Sequence, residues 1–229
     1  MKKLLLALLA MGLGCSPLLA ADVSLLLEGG AAAGQTTFTT TDQETGFLNQ
    51  SLDHDTTGDA ASVVLLATAD SGFVFGLGYQ SFKVKGQSAW VTLDSGSIAG
   101  ISLDQIGARL TTDSMTVSGP FVSLGYSFGD SFRFAPQARL GFSNRYEVTR
   151  TADIFLELGP IRVEDSASET TTATGGTFAI ALPVYWRLGP LTLGAMYQAM
   201  SAKATVTVDN ETTEFTIHSA FQLVLGANF

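Results

Sequence analysis

The run Phe132-Arg133-Phe134-Ala135-Pro136-Gln137-Ala138-Arg139-Leu140-Gly141-Phe142-Ser143 decides the fold. Its alternate residues Phe132, Phe134, Pro136, Ala138, Leu140 and Phe142 are apolar, while Arg133, Ala135, Gln137, Arg139, Gly141 and Ser143 between them are polar or small. Successive strand side chains point to opposite faces, so this is a strand with one lipid-like and one polar face. The same period recurs in Phe178, Ile180, Leu182, Val184, Trp186 and Leu188. After the first residues there is no apolar stretch long enough for a spanning helix, so membrane insertion requires a closed barrel whose strands satisfy each other's backbone groups.

Three tight connections join such strands: Asp70-Ser71-Gly72, Gly129-Asp130-Ser131 and Gly189-Pro190. Each leads directly into an outward apolar residue, Phe73, Phe132 or Leu191, so the facing pattern passes through the turn without a slip. The other connections, around Thr41 to Asp59, Gly86 to Ser114, Arg150 to Thr174 and Asp209 to Glu214, are long, polar and acidic. Alternating short and long loops predict an all-β, closed, antiparallel, up-and-down transmembrane barrel with its short turns in the periplasm. Roughly eight strands are expected, the smallest usual number. They fall near Val23 to Thr39, Ala61 to Ala69, Phe73 to Lys85, Thr116 to Phe128, Phe132 to Thr149, Thr177 to Leu188, Leu191 to Val208 and Phe215 to Phe229. Ser88 to Leu93 and Phe155 to Val163 also alternate; they extend hairpins above the membrane or, as the alternative, make a ten-strand barrel. Recurring pairs, Leu77-Gly78, Leu124-Gly125, Leu140-Gly141, Leu193-Gly194 and Leu225-Gly226, put leucine on the lipid face and glycine inside a narrow lumen.

Met1-Lys2-Lys3, the apolar run Leu4 to Leu13 and the small residues around Ala20-Ala21 read as an export signal covering 1–21, cleaved after Ala20 or Ala21, with 22–229 as the barrel. Cys15 is the sole cysteine and sits in a poor match to a lipoprotein acylation motif. Cleavage after Ala20 or Ala21 leaves no thiol for disulfides, thiolate catalysis or zinc binding. The formal charge of −9 falls to −11 without Lys2 and Lys3, which argues against nucleic acid as a partner. No cofactor is expected.

At the C-terminus, Phe221, Leu223, Leu225, Ala227 and terminal Phe229 share one face. This closing strand resembles the assembly signal of bacterial outer-membrane proteins, which the barrel-assembly machinery recognises. The resemblance implies an outer-membrane location, with lipid and lipopolysaccharide around the barrel. The whole pattern is similar to the small OmpA/OmpX-type barrels at the level of architecture.

Strand parity puts Glu28, Arg133, Arg139, Arg187 and His218 in the lumen, where a charge is costly unless paired. Glu28 is expected to pair with Arg139 across the barrel; the alternative is that water fills the gap and the charges stay independent. Lys83, Lys85 and Lys203 continue the outward face beyond Tyr79 and Tyr197, as lipopolysaccharide-phosphate contacts or as rim solubility. Asp53, Asp55 and Asp59 space oxygen ligands at alternate positions of the first long loop but lack the full calcium-loop pattern, so a solvated acidic loop is preferred. His218 and Ser219 are adjacent, and adjacent strand residues face opposite ways, which argues against joint catalysis. A narrow, side-chain-filled barrel is no general porin. The expected role is non-enzymatic, structural or surface-interacting through the acidic outer loops and protruding strand edges. The alternatives are a small-solute or lipid-transfer channel and, behind it, a lipid-modifying barrel enzyme.

Overall fold

A computed structural model describes residues 22–40, 51–85, 89–93, 97–98, 101–102, 105–158, 161–208 and 211–229. The leader read at 1–21, with Cys15, lies outside the described residues. Twelve strands are present among those described: β1 (Asp22–Thr40), β2 (Ser51–Thr68), β3 (Phe73–Lys85), β4 (Ala89–Leu93), β5 (Ser97–Ile98), β6 (Ile101–Ser102), β7 (Gln105–Tyr126), β8 (Phe132–Phe134), β9 (Gln137–Leu158), β10 (Ile161–Leu188), β11 (Leu191–Val208) and β12 (Glu211–Asn228). Antiparallel neighbours run β11, β12, β1, β2, β3, β7, β9, β10, and pairing of β10 with β11 closes the ring.

The ring has eight staves. β8 and β9 form one stave interrupted at Ala135-Pro136, because proline cannot donate to the ladder. β4 continues the line of β3 along β7, with Ala89 opposite Leu110 where Val84 stands opposite Met115. The alternating segments near Ser88 and Phe155 therefore lengthen hairpins and add no stave. The three short turns place Gly72, Gly129 and Gly189 at positive φ (88°, 87° and 61°), the conformation that glycine adopts without a Cβ clash.

All four connections read from the sequence as loops contain strand: Gly86 to Ser114 holds β4, β5, β6 and the start of β7, and β12 begins at Glu211. β2 begins at Ser51, and β9 and β10 pair residue by residue from Gly175–Asn144 out to Ile161–Leu158. Thr- and Ser-rich stretches such as Asp165 to Thr170 carry no apolar period, so alternation does not reveal them, whereas it does mark Phe155 to Val163. From Asp165 to Thr170 every side chain of β10 is exposed. This ribbon stands beyond the barrel wall, flanked by β7 on the far side of β9.

The wall has an apolar exterior. Leu25, Leu65, Leu140, Ile180, Leu193 and Leu223 are exposed, between aromatic residues including Phe73, Phe132 and Trp186 towards the short turns and Tyr79, Tyr197 and Phe178 towards the long-loop end. A solvated sheet would not present such a band; a hydrocarbon-facing one does. The lumen glycines have a definite use. A Cβ on Gly78 would sit 2.6 Å from the Phe121 ring, one on Gly194 3.0 Å from Tyr185, and one on Gly226 would collide with Leu26. Phe121, Tyr185 and Leu26 thus each rest in a glycine socket on a neighbouring strand. Gly78→Val is expected to push Phe121 from its place and lower stability by about 2 kcal/mol, measured by urea unfolding of refolded barrel in detergent micelles.

Candidate functional site: the sealed lumen and its two ends

Inward side chains stack in layers along the axis. Nearest the short turns, Leu26, Val64, Leu66, Val74, Phe121, Ala135, Ala181, Tyr185, Met196 and Val224 form one apolar cluster. Phe82, Val84, Met115, Val117, Tyr146, Val148, Met200, Phe215 and Ile217 belong to a second, towards the long-loop end. Between them lies a polar layer.

That layer holds Glu28 from β1 and Arg139 from β9, both buried. The guanidinium grips the carboxylate with both arms, Nη2 to Oε1 at 2.7 Å and Nη1 to Oε2 at 2.8 Å. Ser62 Oγ donates to Oε2, Arg139 Nη1 donates to Gln198 Oε1 at 3.4 Å, and the Arg139 guanidinium lies 4.9 Å from the Phe121 ring centre. The structure therefore brings together the two lumen charges that parity places at similar heights. Two-armed geometry with further hydrogen bonds offsets the desolvation of both ions. Sequence reasoning did not identify the rest of the layer, namely Ser62, Gln80, Asn144, Thr177, Gln198 and Gln222. Gln80 Nε2 and Asn144 Nδ2 both donate to Thr177 Oγ1, at 2.9 and 2.8 Å. Buried glutamines at inward parity are the available signal, since an amide at such a position must find partners in the lumen.

Arg133 and Arg187 also point inward, but at the short-turn mouth. Both approach Asp22 Oδ2, Arg187 Nη1 at 2.6 Å and Arg133 Nη2 at 3.3 Å. The Arg187 hydrogen bond foremost, then the neighbouring positive charge, holds the Asp22 carboxyl below its usual range. Asp22 was not among the residues expected to matter, because the first strand was read from Val23.

His218 requires a correction. It is exposed on the outer wall. Ser219 pairs with Ala33 and Ile217 with Gly34, so His218 is an extra residue in β12, and the bulge reverses parity beyond it. Phe215 and Ile217 turn inward as a result. The same bulge undoes the argument that adjacent residues must diverge: His218 Nδ1 lies 3.0 Å from Ser219 Oγ. Among the described residues no carboxylate is ion-paired with His218, so the contact lacks the third group that would orient the ring for base catalysis. A second parity change occurs at Ser143 in β9, where φ is 54° and register shifts on both sides.

Lys83 and Lys85 are exposed on the outward face, with Lys83 opposite Asp59 across the β2–β3 ladder. Lys203 is exposed and ion-paired to Glu214 at 2.5 Å. Asp53, Asp55 and Asp59 lie in strand β2, not in a loop, and Asp55 and Asp59 stand exposed four residues apart. Extended backbone separates these two by about 13 Å, too far to share one ion. Phe221, Leu223, Leu225 and Phe229 are all exposed along the outer face of β12.

No protein-family model matches the chain, and no curated protein matches it. Among solved structures it is similar to Neisserial surface protein A, at 13% identity over 90% of this chain and 97% of that one, with a TM-score of 0.40. The outer membrane protein OprG from Pseudomonas aeruginosa gives 11% identity over 91% and 97%, with a TM-score of 0.46. Ail, the attachment invasion locus protein of Yersinia pestis, gives 9% identity over 91% and 99%, with a TM-score of 0.35. On its own closed ring, apolar outer band and filled lumen, the chain is a small β-barrel of the bacterial outer-membrane type.

Proposed function

We propose that this barrel is a non-enzymatic outer-membrane protein that acts through the surface it raises beyond the membrane. The observation that carries this reading is the free edge of β10. Among the described residues β10 pairs with β11 only from Phe178 to Leu188, yet it runs on to Ile161 with β9 alone as its partner. An exposed edge of unpaired N–H and C=O groups accepts an added strand from another chain. Asp165 and Glu169 give that edge acidic character, favouring a basic or neutral extended partner. The layered lumen supports the same reading, since chemistry or transport through the interior would need a path that the charge pair and both apolar clusters occupy. Lys83 and Lys85 are positioned to meet lipopolysaccharide phosphates at the rim, while Glu214 already engages Lys203.

The test is to replace residues 150–169 with an Asn-Gly turn, which joins the opposed Thr149 and Thr170 as a tight hairpin. Cells displaying the shortened barrel are expected to lose adhesion to host matrix and to basic peptide arrays while inserting normal amounts of protein. Adhesion equal to that of the parent would refute the edge. The reading also fixes orientation: protease added to intact cells is expected to cut within 150–169 and to spare Gly129-Asp130-Ser131. Cleavage only after permeabilisation would reverse the barrel.

A further inference from the structure

The mouth at the short-turn end opens into a cavity of about 20 Å³ lined by Ser127, Arg133, Gln137, Tyr185, Arg187 and Thr192, among others. That volume holds one water molecule or one small ion. Its polar lining combines two arginines, which only donate, with hydroxyls and one amide that can donate, over an apolar floor of Leu26, Leu66, Val74 and Ala135. Neither end of the Gln137 amide makes a hydrogen bond among the described residues, nor does Ser127 Oγ, and both side chains are buried. The Tyr185 hydroxyl, which lines the same cavity, likewise has no hydrogen-bond partner among the described residues. At the mouth, two guanidiniums share one carboxylate, Asp22, and so carry a net positive charge. The next acid inward, Glu28, is already neutralised by Arg139.

We propose that this cavity binds one small monovalent anion, held by Arg133 and Arg187 at its mouth and by the Gln137 amide and the Tyr185 and Ser127 hydroxyls inside. Arginine and neutral donors converging on a confined space satisfy an anion better than a water molecule, which would leave the charge at the mouth uncompensated. The chemistry is shared by a free halide and by the carboxylate end of a short periplasmic peptide. The volume admits one small anion, or the carboxylate end of a longer molecule whose remainder stays outside the mouth.

The test is the thermal unfolding midpoint of the purified barrel in non-ionic detergent, at fixed pH and ionic strength, with gluconate replaced stepwise by chloride, formate or acetyl-D-alanine. A saturating rise of roughly 5 °C is expected once the anion exceeds its dissociation constant a hundredfold, because ligand bound only by the folded state stabilises it. A rise with chloride as large as with formate identifies an inorganic ion; a larger rise with acetyl-D-alanine identifies a peptide carboxylate. Gln137→Leu and Arg187→Gln are expected to abolish the response. Should Arg187→Gln fail to fold, Gln137→Leu and Ser127→Ala decide alone. Identical midpoints in all four anions, or a rise that persists unchanged in Gln137→Leu, would overturn the site.

Discussion

Replacing Glu28 with alanine is expected to destabilise the barrel by about 3 kcal/mol, because it leaves Arg139 charged and buried without its counter-ion. Among the described residues Arg139 would retain its 3.4 Å hydrogen bond to Gln198 and the Phe121 ring, neither of which carries a negative charge. The arginine cannot shed its proton to escape the cost. Arg139→Ala is expected to cost a similar amount by stranding the carboxylate, although Ser62 still donates to it. The double change should recover part of the loss, since no unpaired charge remains. Urea unfolding of refolded protein measures all three. Additive single effects would mean that water already separates the charges, and the bidentate pairing of β1 with β9 would be wrong.

Deleting Phe229 is expected to leave refolding in detergent nearly unchanged while most of the protein fails to reach the membrane in cells. The ring is 79% exposed, so its removal gives up little packing. Its backbone N–H donates to the Val23 carbonyl at 2.9 Å, one ladder bond at the end of the β1–β12 seam. A severe defect in cells with none in vitro places the role of this residue in assembly, where the apolar face of β12 is presented before the ring closes. Quantitative blotting of outer-membrane fractions, set beside refolding yield, separates the two. Equal insertion of parent and variant would remove the C-terminal signal from the proposal.

How far the sequence leads depends on whether a face stays constant along a strand. In β3 and in the lower parts of β9, β10, β11 and β12 one face meets lipid throughout, and alternation gave the strands, the turns and the meeting of Glu28 with Arg139 across the lumen. At His218 and Ser143 one inserted residue reverses every side chain beyond it, and no residue type announces the insertion. That is why His218 was assigned to the wrong side and why Phe215 and Ile217 were not recognised as lumen residues. In the β9–β10 ribbon the segment Phe155 to Val163 alternates and was legible as a hairpin extension, but Asp165 to Thr170, exposed at every side chain, looks like loop composition although it pairs in continuous register. The cluster of Asp22 with Arg133 and Arg187 joins three strand ends that only ring closure brings together.

The most direct measurement is the conductance of the refolded wild-type barrel in a planar bilayer. With Glu28 and Arg139 locked mid-lumen and an apolar cluster on each side, the protein is expected to insert without sustained ionic current. The Glu28→Ala, Arg139→Ala double variant, tested beside it, is expected to stay without sustained current too, because both apolar clusters still fill the lumen. Steady, ohmic openings of the wild-type protein would contradict a sealed lumen and make the barrel a channel.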